Sequence, residues 1–347
     1  MTITRGYAAL TPGGKIEPYE FERREVGPLD VAIDIEYAGI CHSDIHQARE
    51  EWGKAIFPMV PGHEIVGRIS AVGSDVTEFN VGDLAGIGCF VDSCGECKNC
   101  QLGKNNYCLT HTTWTYNATE ADGVTPTYGG YSQSIVAKAD HVLHVSDTLD
   151  RAGVAPLLCA GITVYSPLRH WNAGPGKNVA VMGLGGLGHM GVKIAAAMGA
   201  HVTVLSHSES KRADALAMGA HEFICTADTE ALAAAANTFD IIINTVSADI
   251  DLHPYIRTLG MWGTLVCVGA PGKPYSINGG ELMTQQRSLA GSGIGGIQET
   301  QEMLDFCAEN GIVSEVEVID ANYINEAYDR VVASDVRFRF VIDTATI

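Results

Sequence analysis

Basic residues are scarce in this 347-residue chain: 22 Lys and Arg face 41 Asp and Glu, for a formal net charge of −19 at pH 7 and a pI near 4.9. A surface of that sign argues against wrapping nucleic acid or an anionic membrane, because holding phosphate needs clustered positive charge. Long apolar runs are missing too, and none reaches the roughly 18 residues of a membrane span. The opening stretch, MTITRGYAALTPGGKIEPYEFERREVG, lacks the apolar centre of a secretory signal. There is no internal repeat or low-complexity tract, and the 39 glycines follow no triplet period, which excludes collagen. Charged residues make up only 18% against 46% hydrophobic, which excludes a disordered chain. Without a signal sequence, the ten cysteines read as metal ligands and buried thiols rather than disulfides, and the compartment as cytoplasmic.

The length suits about two domains, each large enough to bury a core. Residues 1–150 read as short strands, such as Val31–Ile35 and Glu64–Ile69, broken by Gly and Pro. Beyond about 150, apolar strands alternate with alanine-rich helices. The strands are Asn178–Met182, Val202–Leu205, Phe223–Cys225, Asp240–Ile243 and Thr264–Val268. That alternation predicts a parallel sheet covered on both faces. From about Gly291 one amphipathic helix, Gln298–Asn310, precedes short strands ending in Phe338–Ile342, a texture that returns to that of the first 150 residues.

Cys94-x2-Cys97-x2-Cys100-x7-Cys108 packs four thiols into fifteen residues. Four thiolates complete a tetrahedral zinc and leave no position for substrate, so this site reads as structural. An iron–sulfur cluster is the alternative with the same ligand chemistry. Cys41, His63 and Glu64 supply a sulfur, an imidazole and a carboxylate, the mixture of a zinc that keeps an open position. A further sulfur is needed there, and Cys159 is a candidate by elimination; spacing alone does not bring these residues together. Gly183-Leu184-Gly185-Gly186-Leu187-Gly188 follows a strand and opens a helix, the context a dinucleotide fingerprint requires, although a glycine turn without a ligand has the same letters. At the end of the next strand an NAD site would place an acid. Here Ser206-His207-Ser208 stands with Lys211 and Arg212 behind, a set suited to a 2′-phosphate; Ser206 or Ser208 as a helix cap is the alternative, and Glu209 weighs against a phosphate.

Taken in order, Cys41-His42-Ser43-Asp44-Ile45-His46, Pro61-Gly62-His63-Glu64-x2-Gly67-x5-Gly73, the four-cysteine lobe, Gly183–Gly188 and Asp335–Phe340 resemble a zinc-dependent alcohol dehydrogenase of the medium-chain dehydrogenase/reductase superfamily, in the cinnamyl alcohol dehydrogenase branch with its bacterial NADP-dependent relatives. The resemblance spans essentially the whole chain. It implies an α/β fold: a Rossmann NADP-binding domain at 151–291 and a GroES-like, β-rich catalytic domain at 1–150 and 292–347, with the active site in the cleft between them. It implies two zincs per chain, the catalytic one on Cys41, His63, Glu64 and Cys159, the structural one on Cys94, Cys97, Cys100 and Cys108. Asp44 would orient His63, and Ser43 and His46 would relay protons. Thr163, Gly183, Gly185, Gly186, Leu187, Gly188, Ser206, His207, Ser208, Lys211, Val268, Ala270, Ser292, Gly293, Ile294 and Arg339 fall where the family contacts NADP. Trp114 lies near a substrate-pocket tryptophan of the plant enzymes, one residue out of step, and Cys89 is a further candidate for the pocket lining. The implied activity is interconversion of primary alcohols and aldehydes, chiefly aldehyde reduction, by a homodimer acting on small molecules. An NAD-linked polyol or secondary-alcohol dehydrogenase, and a non-catalytic zinc-binding interaction protein, are the readings set against it.

Overall fold

The computed structural model describes residues 2–347. The chain divides into two compact units, one made of the residues up to Cys159 together with Gly295–Ile347, the other of Ala160–Ile294. The first division lies nine residues beyond the point where the sequence texture changes, because the helix Arg151–Val154 and the turn Ala155–Leu158 pack on strands of the first unit.

In the first unit Asp30–Gly39 is the central strand. It pairs antiparallel with Ile65–Val72, Ser134–Lys138 and Arg339–Asp343, and the last of these carries Val316–Asp320 in parallel. Val31, Ile33 and Ile35 alternate into the core while Asp34 faces water, the period-two pattern of a half-covered sheet. The strand runs directly into Cys41 and the short helix His42–Ala48. Asp44 caps that helix by accepting the Cys41 N–H, so one carboxylate fixes the first turn and the ligand before it. The four-cysteine segment loops between the paired strands Phe90–Ser93 and Thr112–Trp114.

The second unit is a six-stranded parallel sheet in the order Glu222–Cys225, His201–Ser206, Asn178–Met182, Phe239–Asn244, Leu259–Cys267, Ser288–Gly291. Its strands are continuous apolar runs, as expected where helices cover both faces. The chain order reverses on either side of Asn178–Met182, and the carboxyl ends of the strands beside such a switch are where α/β sheets bind ligands.

Of the helices that were not anticipated from the sequence, the two longest are informative. Ala160–His170 carries three β-branched residues and Pro167, which mask its period. Ile324–Val332 buries Ile324, Ala327, Tyr328 and Val331, an i, i+3, i+4, i+7 stripe that was legible but hidden among short strands. Among the described residues no helix is long and apolar enough to cross a membrane. The mid-strand side chain of Ile242 is fully buried, so Ile242→Ala should cost about 2–5 kcal/mol, read as a lowered urea midpoint at unchanged slope.

Candidate active site

Cys41 Sγ, a His63 nitrogen, a Glu64 carboxylate oxygen and Cys159 Sγ lie within 4.8 Å of one another, all four residues buried. Strand ends deliver them: Cys41 follows Asp30–Gly39, and His63 and Glu64 precede Ile65–Val72, which is paired to that strand. His63 presents Nδ1 to Asp44 Oδ1 at 3.1 Å, which leaves Nε2 as the free donor. Glu64 Oε1 takes an ion pair from Arg339, whereas Glu64 Oε2 is buried without a partner. An orphaned carboxylate oxygen beside two thiols and an imidazole fits a divalent cation of intermediate softness, and the donor set is that of zinc.

These buried side chains also shift one another's proton affinity. Burial pushes the Glu64 carboxyl up to about 7 against the pull of Arg339. Burial works against charge on His63, but the neighbouring Asp44 carboxylate overrides it and raises the imidazole well above its ordinary value. Contact with Cys159 outweighs burial at Cys41 and holds that thiol well below its usual range, while the same contact drives Cys159 up.

Cys94, Cys97, Cys100 and Cys108 converge as well, with Sγ separations of 3.3–3.9 Å. A tetrahedron with Zn–S bonds of about 2.3 Å has edges of about 3.8 Å, whereas a disulfide would need about 2.05 Å. Backbone N–H groups of Cys97 and Leu109 donate to the Cys94 and Cys97 sulfurs at 3.4 Å, which favours thiolates there. Desolvation pushes Cys100 up to about 12, so a metal bound there must displace its proton.

In the second unit Gly183 has φ +88°, open to glycine, and a Cβ on Gly188 would meet the Gly183 carbonyl at 2.0 Å. Gly185 has no protein atom within 4 Å of where its Cβ would sit, so packing does not require glycine there; a ligand lying on the loop would. Ser206 ends its strand beside this loop, with the Gly183 N–H donating to Leu205 O at 2.8 Å. Lys211 Nζ donates to Leu184 O at 2.9 Å, and Glu209 is turned to Arg212 in an exposed ion pair. His207 is exposed and Ser208 half-buried. Gly186 and Leu187 lead into the helix Gly188–Ala197, against which the helix carrying Thr163 packs. Val268, Ala270, Ser292, Gly293 and Ile294 follow the carboxyl ends of the next strands, with the Ser292 N–H on Cys267 O at 3.1 Å. Arg339 lies in the first unit, 5% exposed, with one guanidinium nitrogen paired to Glu64, a buried carboxylate that needs a countercharge.

Residues 27–147 match the alcohol dehydrogenase GroES-like domain, and residues 186–309 the zinc-binding dehydrogenase family. The NADP-dependent alcohol dehydrogenase C 1 of Mycolicibacterium smegmatis is 56% identical over 100% of this chain and 99% of its own. The chain belongs to the zinc-containing alcohol dehydrogenases. The aldehyde reductase YahK of Escherichia coli is 52% identical over 98% of this chain and 97% of its own. Among solved structures, a cinnamyl alcohol dehydrogenase of Sorghum bicolor matches with a TM-score of 0.95 at 44% identity, covering 99% of this chain and 98% of that one. The Helicobacter pylori cinnamyl alcohol dehydrogenase complexed with NADP(H) matches at 0.93 and 42%, covering 99% of each.

In this alcohol dehydrogenase the Ser43 hydroxyl lies 3.6 Å from the Cys41 sulfur. His46 Nδ1 is bonded to Glu51, and its ring stacks on Trp52 at 4.7 Å. Cys89 is half-buried against Cys159, and Trp114 is 44% exposed at the end of its strand. Sequence reasoning missed Glu51, Tyr116 and Tyr131. Glu51 follows His46 by one helical turn and a residue, a spacing that could have signalled it; the two tyrosines reach the site only through the fold. Replacing Cys97 with Ser should lower bound zinc from two per chain to one, measured by atomic absorption, with the secondary structure of both units retained.

Proposed function

We propose that this chain is an NADP-dependent alcohol dehydrogenase interconverting primary alcohols and aldehydes, aromatic and medium-chain ones among them, and working mainly as an aldehyde reductase. The observation that carries the cofactor choice is the end of the strand His201–Ser206. A hydroxyl stands where an NAD site keeps an acid, Glu209 is occupied by Arg212, and Lys211 lies over the glycine loop. The names of the Mycolicibacterium and Escherichia coli relatives support the same reading. A polyol dehydrogenase has in its favour the probable mannitol dehydrogenase of Fragaria ananassa, 49% identical over 97% of this chain; Ser206 counts against its NAD-linked form.

Zinc and NADPH, when bound, supply polarisation of the carbonyl and the hydride. The chain's own residues do the remainder. Cys41, His63 and Cys159 would hold the catalytic metal, with Glu64, which keeps one unpartnered oxygen, as a fourth donor. Cys94, Cys97, Cys100 and Cys108 would hold the second ion as a closed set of four thiolates. Asp44 keeps the His63 Nδ1 proton and so the Nε2 lone pair. Ser43, beside the Cys41 sulfur, would give its hydroxyl proton to the product oxygen, and His46, partly open to water and backed by Glu51, would be the solvent-side group of the relay. Gly183–Gly188 and the helix behind them receive the pyrophosphate.

The assembly we infer is a cytoplasmic homodimer. Ser288–Gly291 ends its sheet with one side unpaired, and Met261, Trp262 and Met283 nearby are exposed, an edge of the kind a second sheet covers. Light scattering should give a mass near twice 36.9 kDa; a monomer at micromolar concentration refutes the dimer and leaves the enzyme untouched. Benzaldehyde reduction should favour NADPH over NADH by about tenfold or more in kcat/KM, and Ser206→Asp should reverse the preference. Ser43→Ala should slow turnover by about 100-fold with two zincs still bound; normal turnover would remove Ser43 from the relay.

A further inference from the structure

We propose that Tyr131 is a positioning residue for the catalytic metal pocket, acting through Asp44 on His63. The proposal rests on the reading that Cys41, His63 and Cys159 hold zinc. Asp44 and Tyr131 are both fully buried, and the Tyr131 hydroxyl donates to Asp44 Oδ2 at 3.1 Å. The other donors on that carboxylate are the Cys41 N–H at 2.8 Å, the Gly62 N–H at 3.1 Å and His63 Nδ1 at 3.1 Å. Tyr131 also engages the pocket through its backbone. The Gly129, Gly130 and Tyr131 N–H groups donate to Val60, Gly62 and Pro61 carbonyls at 2.7, 2.9 and 3.0 Å, zipping the loop to the segment that delivers His63. The approach is close: a Cβ on Gly62 would meet the Tyr131 ring at 2.7 Å, and one on Gly129 the Gly62 carbonyl at 2.3 Å.

The loop is in turn held from behind by Arg23. Its buried guanidinium donates to the Tyr128, Gly129 and Ser134 carbonyls and to the Ser132 hydroxyl, at 2.7–3.1 Å. No carboxylate hydrogen-bonds this guanidinium among the described residues, so its charge is spent on the loop's carbonyls. A single brace thus runs from Arg23 through the 128–134 loop and the Tyr131 hydroxyl to Asp44, and from there to the imidazole whose orientation the metal needs. Outer partners of this kind typically change metal affinity or activity by about 10–100-fold.

The test uses the zinc-loaded enzyme. Zinc transfer to a chromophoric chelator is followed, the pocket phase being the one absent in Cys159→Ala, alongside kcat and KM for benzaldehyde with NADPH. Tyr131→Phe keeps the ring against Gly62, and circular dichroism checks its fold. It should release the pocket zinc about tenfold faster and lose about tenfold in kcat, with KM held within about threefold. Tyr328→Phe removes another buried hydroxyl, 3.5 Å from that of Tyr131, but leaves the bond to Asp44; it should match the wild type. Asp44→Asn combined with Tyr131→Phe should be no worse than Asp44→Asn alone. Arg23→Lys, which leaves the Tyr131 side chain intact, should shift release in the same direction by less. Unchanged release in Tyr131→Phe, an equal loss in Tyr328→Phe, or full additivity with Asp44→Asn overturns the proposal. Wild-type enzyme with zinc only in the four-cysteine lobe overturns the zinc reading and the proposal with it.

Discussion

A carboxylate taken out of water costs several kcal/mol unless donors replace its hydration, and Asp44 is the place where this chain accepts that cost. The donors that satisfy it come from separate stretches: the Cys41 and Gly62 amides, the His63 ring and the Tyr131 hydroxyl. Because one small group must satisfy all of them, the helix His42–Ala48, the turn before Ile65–Val72 and the loop after Gly129 are fixed relative to one another. The cluster of sulfur, nitrogen and oxygen donors is a by-product of that convergence. Ion pairing between Arg339 and Glu64 performs the same service on the far side of the cluster, with one carboxylate oxygen left over.

The two donor clusters meet opposite demands. In the lobe every ligand is a thiol, all four belong to one excursion between two short strands, and nothing is left for a substrate. In the pocket the ligands come from strand ends and a distant turn, and one of them, Glu64, is a weaker donor already shared with an arginine. A closed set made of near neighbours suits a fixed support, and an open set made of distant partners suits exchange of ligands.

This contrast also sets what could be read in the sequence. The lobe and the glycine loop are encoded in consecutive residues whose spacing itself carries the chemistry, so both were legible. Cys41, His63 and Glu64 were legible as types of donor, but their meeting depends on the pairing of Asp30–Gly39 with Ile65–Val72, and Cys159 on a turn that spacing does not reveal. Tyr131 and Arg23 were invisible because their roles exist only through contacts between residues far apart in the chain. The helix at Ala160–His170 was lost to its β-branched residues and proline, and the one at Ile324–Val332 to an expectation of strands, although its apolar stripe was present.

The sheet of the first unit has a consequence for the order in which the protein is made. Its central strand, Asp30–Gly39, is synthesised well before one of its neighbours, Arg339–Asp343. The four cysteines of the lobe lie within fifteen residues and can take their metal as soon as that loop leaves the ribosome. The pocket must wait, since until Arg339 arrives Glu64 has no countercharge and Tyr37–Gly39, the end of the central strand nearest Cys41, lacks its partner on one edge. Between those two points of translation the nascent chain therefore carries a finished support and an unfinished reaction centre, whose central strand gains its last partner only with Arg339–Asp343.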